Sequence, residues 1–315
     1  MDLALGRLSL GECERTLSGA DNFVLQQSGA PTLSVDNGRF RRLMSQWGAV
    51  VLPGVLAPVT TGGPRGFDVT LDAHATGISE SADYWERGTR GSGRAASTTC
   101  NGRNEAVRSS LGGGQLRIAK GLPLGITIAA NFGKLFRTEL WTAGGELRLA
   151  LVEGMRSPLV PDVAVRFAAN GLVGEPVLSL TTLGADLLVS KGFASPVGLR
   201  VSPYLGLGVH WIVVRTGVVD LTPNIDSTLC AAGVDPVCNA QGLGASADDT
   251  GHDRSFADVA LHRYRASLGL WAHYGLVALA AELGFDVVPP GTADSKAGDS
   301  LPRQWSAHVA PSLSF

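Results

Sequence analysis

The last twelve residues, Gln304 to Phe315, alternate without interruption: Trp305, Ala307, Val309, Pro311, Leu313 and Phe315 are apolar, and Ser306, His308, Ala310, Ser312 and Ser314 stand between them. Strict period two is the pattern of a strand with unlike faces. The same period begins at Phe67, where Phe67, Val69, Leu71, Ala73 and Ala75 oppose Asp68, Thr70, Asp72, His74 and Thr76. It returns around Leu116 and Ile118, across Ile126–Phe132, at Leu147–Leu151 and at Val163–Phe167. Further stretches are Leu183–Ser190, where Leu188 breaks the pattern, Arg200–Val213, Ala257–His273 and Val277–Val287. With the terminal stretch this predicts about ten strands, separated by turns rich in glycine and proline.

Ahead of the strands the period differs. Phe40, Leu43, Met44 and Trp47 recur at helical spacing within Asp36–Trp47, with Asp36 or Asn37 as N-cap and Pro53 and Pro58 beyond the end. We therefore divide the chain into an N-terminal segment with a short helix (1–66), periplasmic or lying as a hatch in a barrel mouth, and a barrel (67–315). A chain that ends on an apolar strand leaves an edge open to other chains unless that strand pairs with the first. The expected fold is all-β: a transmembrane antiparallel up-and-down barrel of about ten strands. The connections spanning Ser79–Gly113, Arg215–Phe256 and Pro289–Pro302 are the longest. All three follow odd-numbered strands, as expected if long loops lie at the extracellular end and short turns at the periplasmic end.

Composition fits this picture. Charged residues are only 17% of the chain and glycine is plentiful at 41 residues, yet no apolar run approaches the roughly 20 residues of a spanning helix. The start, MDLALGRLSLGEC, has no basic n-region, so an export signal is expected upstream of it. A net charge of −2 offers no footprint for nucleic acid. Cys13, Cys100, Cys230 and Cys238 show no zinc or redox spacing. Cys230 and Cys238 are placed to close a loop disulfide in an oxidising compartment, with two unpaired loop cysteines as the alternative.

Ionisable residues on the polar faces are Asp68, Asp72, His74, Arg117, Glu146, Arg148, Asp162, Arg166, Asp186, Arg200, His210, Glu282, Asp286 and His308. Each would cost several kcal/mol in lipid, so they are expected to face the lumen and hold it with paired charges; a selective pore is the other reading. Trp141, Trp211, Trp271, Trp305 and Phe315 are expected outside, near the membrane boundaries. The loop after the first strand carries Arg87, Arg90, Arg94, Arg103 and Arg108, which suit lipopolysaccharide phosphates, and also Glu80, Asp83, Glu86 and Glu105. Asp220, Asp226, Asp235, Asp248, Asp249, Asp253 and Asp258 make a later loop acidic without calcium-loop spacing. No nucleophile elbow, zincin helix or phosphate loop occurs, and neither enzymatic activity, a cofactor nor a metal is expected.

The terminal strand ending on Phe315 resembles the C-terminal signature of Gram-negative outer-membrane β-barrel proteins. That resemblance implies location in the bacterial outer membrane, contact with its lipid and lipopolysaccharide, and insertion by the barrel-assembly machinery. The omptins, ten-strand outer-membrane proteases, look similar in size and in using Asp and His. Their Asp-x-His pair comes late in the chain, whereas Asp72 and His74 lie in the first strand. The helix and prolines of Asp36–Pro58 also resemble the N-terminal hatches of long-chain fatty-acid transporters. Function is expected to be passive, porin-like transport or a structural surface role. The alternatives are a soluble ligand-binding β-barrel and, third, a barrel enzyme.

Overall fold

The computed structural model describes residues 1–10, 34–59, 63–91, 104–153, 160–220, 253–291 and 301–315. Among them, ten strands follow one another as an antiparallel meander. They are β1 (Phe67–Gly77), β2 (Ser110–Leu122), β3 (Ile126–Leu135), β4 (Trp141–Val152), β5 (Asp162–Val173), β6 (Leu178–Ser190), β7 (Arg200–Thr216), β8 (Val259–Tyr274), β9 (Val277–Asp286) and β10 (Trp305–Ser314). β10 returns to β1 in the register His308↔His74 and Leu313↔Val69, so the ring is closed. Phe67 and Phe315 extend the seam with reciprocal backbone hydrogen bonds of 3.1 and 2.8 Å. Closure satisfies both edges of the sheet, which a membrane interior demands.

Alternation decides which side of the wall each residue takes. In β9, every second residue is buried from Ala278 to Asp286, while Leu279, Leu283 and Phe285 are exposed. Several strands run further than their apolar pattern predicts. β2 begins at Ser110, β4 at Trp141 and β6 at Leu178, and β5 continues to Val173. Glycines mask these strand ends. A Cβ on Gly144 would stand 1.7 Å from Asn170 Oδ1, and one on Gly113 2.7 Å from His74 Nε2. The side chains of neighbouring strands occupy that space, so glycine is needed where alternation is read as lost.

At one end the strands are joined by 78–109, 136–140, 174–177, 217–258 and 287–304; at the other by 123–125, 153–161, 191–199 and 275–276. The tightest of the latter uses Gly275 at φ 64°, a conformation glycine adopts without strain. The helix α1 (Asn37–Val51) is no part of the wall. Asp36 caps it, accepting from Arg39 N at 2.9 Å. Phe40, Leu43, Met44 and Trp47 are fully buried. Each such side chain contributes about 1.5–3 kcal/mol relative to leaving it in water.

Residues 1–8 lie at the long-loop end. The carbonyl of Arg137 accepts from the amino terminus, Leu3 bridges Thr89, and Ala4 N donates to Gly88 O at 2.9 Å. Thr89 follows a second short helix, α2 (Asp83–Gly88), which packs on α1. Burial pushes the Tyr84 phenol of α2 above its ordinary pKa. At the opposite end Gly121 N donates to Gly66 O at 3.0 Å, just before β1 begins. The described stretch 34–59 runs through the barrel from the long-loop mouth towards the other.

Candidate functional site

That passage fills the lumen in layers. Nearest the long loops, α1 meets an apolar ring of inward side chains that includes Leu111, Leu135, Leu180, Ile212, Val214, Val259 and Leu261. Phe40 stacks on Phe256 at 4.4 Å between ring centroids. Gln46 is buried without strain because its amide is used from both ends. Its oxygen accepts from Ser79 N at 3.0 Å and from Trp85 Nε1, and its nitrogen donates to Ser79 Oγ and Tyr84 Oη.

Below α1 the contacts turn polar. Arg263, fully buried, pairs with Asp286 and donates at 2.8 Å to both the carbonyl and the hydroxyl of Ser45, and at 2.7 Å to Gln304 Oε1. Gln304 N completes Asp286 at 2.8 Å. A second group centres on Glu146, which lies 2.8 Å from Arg117, 3.0 Å from Arg148 and 3.0 Å from Arg166. Arg166 continues to Asp186 at 2.8 Å, and Asp186 to His210 at 3.0 Å.

These guanidiniums also grip the chain after α1, residues 52–59. Arg166 donates to Gly54 O at 2.9 Å, and Arg148 to Pro58 O at 2.8 Å and Val55 O at 3.1 Å. From the facing wall Glu282 accepts from Val55 N at 3.1 Å and Leu56 N at 2.9 Å. Leu56 has φ 57°, rare for a residue with a side chain. That turn aims two successive amides at one carboxylate, the concave arrangement that suits an anion. Tyr204 Oη donates to the same carboxylate at 2.9 Å, and Val59 N donates to Ser190 Oγ at 3.0 Å. A cavity of about 30 Å³ lies beside Gly54, Glu282 and His308.

Sequence reasoning placed Asp72, Arg117, Glu146, Arg148, Arg166, Asp186, His210, Glu282, Asp286 and His308 on the inner face, and these are buried there. Asp162 is buried at the short-turn end of β5, while Asp68 and His74 are partly buried. Arg200 departs from the expectation. It is exposed at the short-turn rim, where β7 begins and the lumen opens to solvent. Trp271 also departs: it faces inward and packs near Val55 and Leu56, because its position shares parity with Arg263 and Arg265 rather than with Leu268 and Leu270.

Arg263 and Arg265 were missed, although the parity of β8 carried the signal. Missed too was the partner of the charges, which is main chain of residues 45–59 as much as opposite charge. Leu188, the break in alternation, is buried against Val55, Val59, Ala164 and Tyr204. Cys13, Cys100, Cys230 and Cys238 lie outside the described residues, as do Arg94, Arg103, Asp226, Asp235, Asp248 and Asp249. Arg87 is buried and so turned away from any headgroup.

The outside of the wall is apolar on every strand, including Leu71, Ile118, Ile128, Leu147, Phe167, Leu187, Leu207, Leu268, Leu279 and Val309. Trp141, Trp211, Phe285 and Trp305 are exposed towards the long loops and Phe67, Phe193, Tyr274 and Phe315 towards the short turns, with Phe167 between the two borders. It is a barrel built to face lipid. No family model and no curated protein matches the chain. Among solved structures, it resembles the attachment invasion locus protein Ail of Yersinia pestis at 8% identity and a TM-score of 0.26, covering 79% of this chain and 98% of that one. The N-terminal β-barrel domain of Pseudomonas aeruginosa OprF gives 16% identity and 0.28, covering 60% and 96%. The Acinetobacter baumannii outer membrane protein Omp33 gives 7% and 0.25, covering 79% and 97%. At such scores these likenesses add nothing to the barrel geometry already described.

Proposed function

We propose that this chain is a bacterial outer-membrane β-barrel protein whose resting state is closed, a structural surface protein rather than an open passive channel. The observation that carries this reading is the lumen segment, residues 37–59, bonded to inward side chains of β4, β5, β6, β8 and β9. An open pore of polar lining would hydrate those charges; here main-chain groups and opposite charges satisfy them. The lipid setting is supported by the apolar exterior, since a soluble barrel would present a continuous apolar belt to water. Outside, the belt takes acyl chains, and the loop end faces lipopolysaccharide.

Two measurements test the proposal. Detergent-extracted protein run with and without boiling should show two bands, the unboiled one faster, because a closed barrel resists detergent unfolding. In planar bilayers the wild type should be silent and a variant lacking residues 37–59 should conduct. Steady conductance by the wild type, equal to that of the deleted form, would favour passive transport and overturn the closed state. Solubility without detergent and a single band would remove the membrane reading.

A further inference from the structure

Where the first and last strands meet, Asp72 and His74 of β1 and His308 of β10 turn into the lumen together. His308 and His74 are direct partners across the seam, and their rings stack with centroids 5.3 Å apart. Both imidazoles present Nδ1 to the same carboxylate oxygen: His74 Nδ1 and His308 Nδ1 each lie 3.1 Å from Asp72 Oδ2. The three ligating atoms all fall within 4.8 Å of one another. Asp72 is nearly inaccessible and His308 buried, so the group is shielded from bulk water.

The spacing has a chemical meaning. In a tetrahedral zinc site with ligand bonds of about 2.0–2.1 Å, neighbouring ligand atoms stand about 3.3 Å apart. The two nitrogen–oxygen separations already match that edge within a few tenths of an ångström. Two imidazole nitrogens and one carboxylate oxygen are the donors that borderline divalent ions prefer. Three protein ligands leave a fourth position, and the cavity beside His308 and Gly54 has room for one water. Glycine at 54 and 113 keeps the rings uncrowded: a Cβ would stand 2.9 Å from His308 Nδ1 and 2.7 Å from His74 Nε2.

We propose that Asp72, His74 and His308 bind one divalent transition-metal ion of the Zn²⁺ or Co²⁺ kind, which clips the barrel's closing seam. On binding, each imidazole carries its proton on Nε2 and offers Nδ1 to the metal, in place of the hydrogen bonds to Asp72. The ion joins residues at the two ends of the barrel sequence, so it stabilises the closed ring over every opened form. This holds whether or not the barrel conducts.

The test uses full-length protein without a histidine tag, treated with chelator and then titrated with Co²⁺ or Zn²⁺. The expected result is saturable binding of one equivalent, the visible absorption of tetrahedral Co²⁺, and a higher temperature for the gel band shift with Zn²⁺. His308→Gln should abolish all three, and His74→Gln, which leaves the β10 strand untouched, serves if that variant does not fold. His262→Gln, away from the cluster, should bind as the wild type does. The proposal is overturned if the folded wild type binds neither ion up to millimolar concentration. It is equally overturned if one-equivalent binding survives in whichever of the two cluster variants folds.

Discussion

Replacing Gly48 by alanine probes how tightly the lumen segment is seated. In a free helix the change gains about 0.5–1 kcal/mol, since glycine has more backbone freedom to lose. In α1 a Cβ there would stand 2.4 Å from Ile212 Cδ1, 2.5 Å from its Cγ2 and 2.7 Å from its Cγ1. Three carbons of one β-branched side chain are struck together, and its χ1 is stiff. Overpacking of this kind costs about 1–3 kcal/mol, which outweighs the helix gain and leaves α1 less firmly held by on the order of 1 kcal/mol. Hydrogen exchange of the α1 amides reads that quantity directly, because the amides exchange when the segment leaves its seat. Gly48→Ala should quicken exchange roughly fivefold, at about 1.4 kcal/mol per factor of ten. Ile212→Ala removes the obstructing carbons, so adding Gly48→Ala to it should bring no further quickening. The reasoning is refuted if Gly48→Ala leaves α1 exchange unchanged or slows it, or if its penalty persists in full beside Ile212→Ala.

Two further variants address the interior charges and the exterior belt. Arg263→Met leaves Asp286 with Gln304 N and Arg265, the latter at 3.6 Å, and takes a donor from Gln304 Oε1 and Ser45 Oγ. Breaking a buried pair from one side costs about 3–5 kcal/mol, so the band-shift temperature should fall clearly, and Arg263→Met with Asp286→Leu should recover much of the loss. An unchanged temperature in the single variant would count against the network. Leu207→Arg places a charge outward near the middle of β7, where it costs about 2–4 kcal/mol if that face meets lipid. Folding into vesicles, followed in urea, should weaken accordingly, and equal stability of the two proteins would count against a lipid-facing wall.

The wall was legible because one bit of information, inward or outward, repeats at every residue. Leu279, Leu283 and Phe285 state it without ambiguity, and so does His308 between Ala307 and Val309. It failed where a third body intervenes. Leu188 reads as an error of alternation until Val55 and Val59 are seen to cover it. Ile212 and Val214 occupy polar-face positions for the same reason, since α1 makes their end of the lumen apolar. The helix itself was plain from its spacing, but nothing in Phe40 or Trp47 says which apolar surface will receive them. The cluster at Asp72 shows the same limit. Asp72 and His74 are neighbours on one strand, whereas His308 joins them only through a register fixed at closure.

Threading also imposes an order on events. Phe40 stands far from Phe256 in the chain, and Ser45 far from Arg263, so the segment meets most of its partners only through long-range closure. It is tethered at one mouth by β1 and held at the other beneath α2. A ring that zipped shut beside it would be left with a full complement of wall hydrogen bonds and a vacant interior. Reaching the finished state from there would require dragging charged and bulky side chains through a narrow tube. Enclosure avoids that: a sheet that curls around a core already lying along it, with β10 meeting β1 last, has nothing left to thread. An empty closed ring would thus be a kinetic trap, distinguishable from the finished protein only by what lies within.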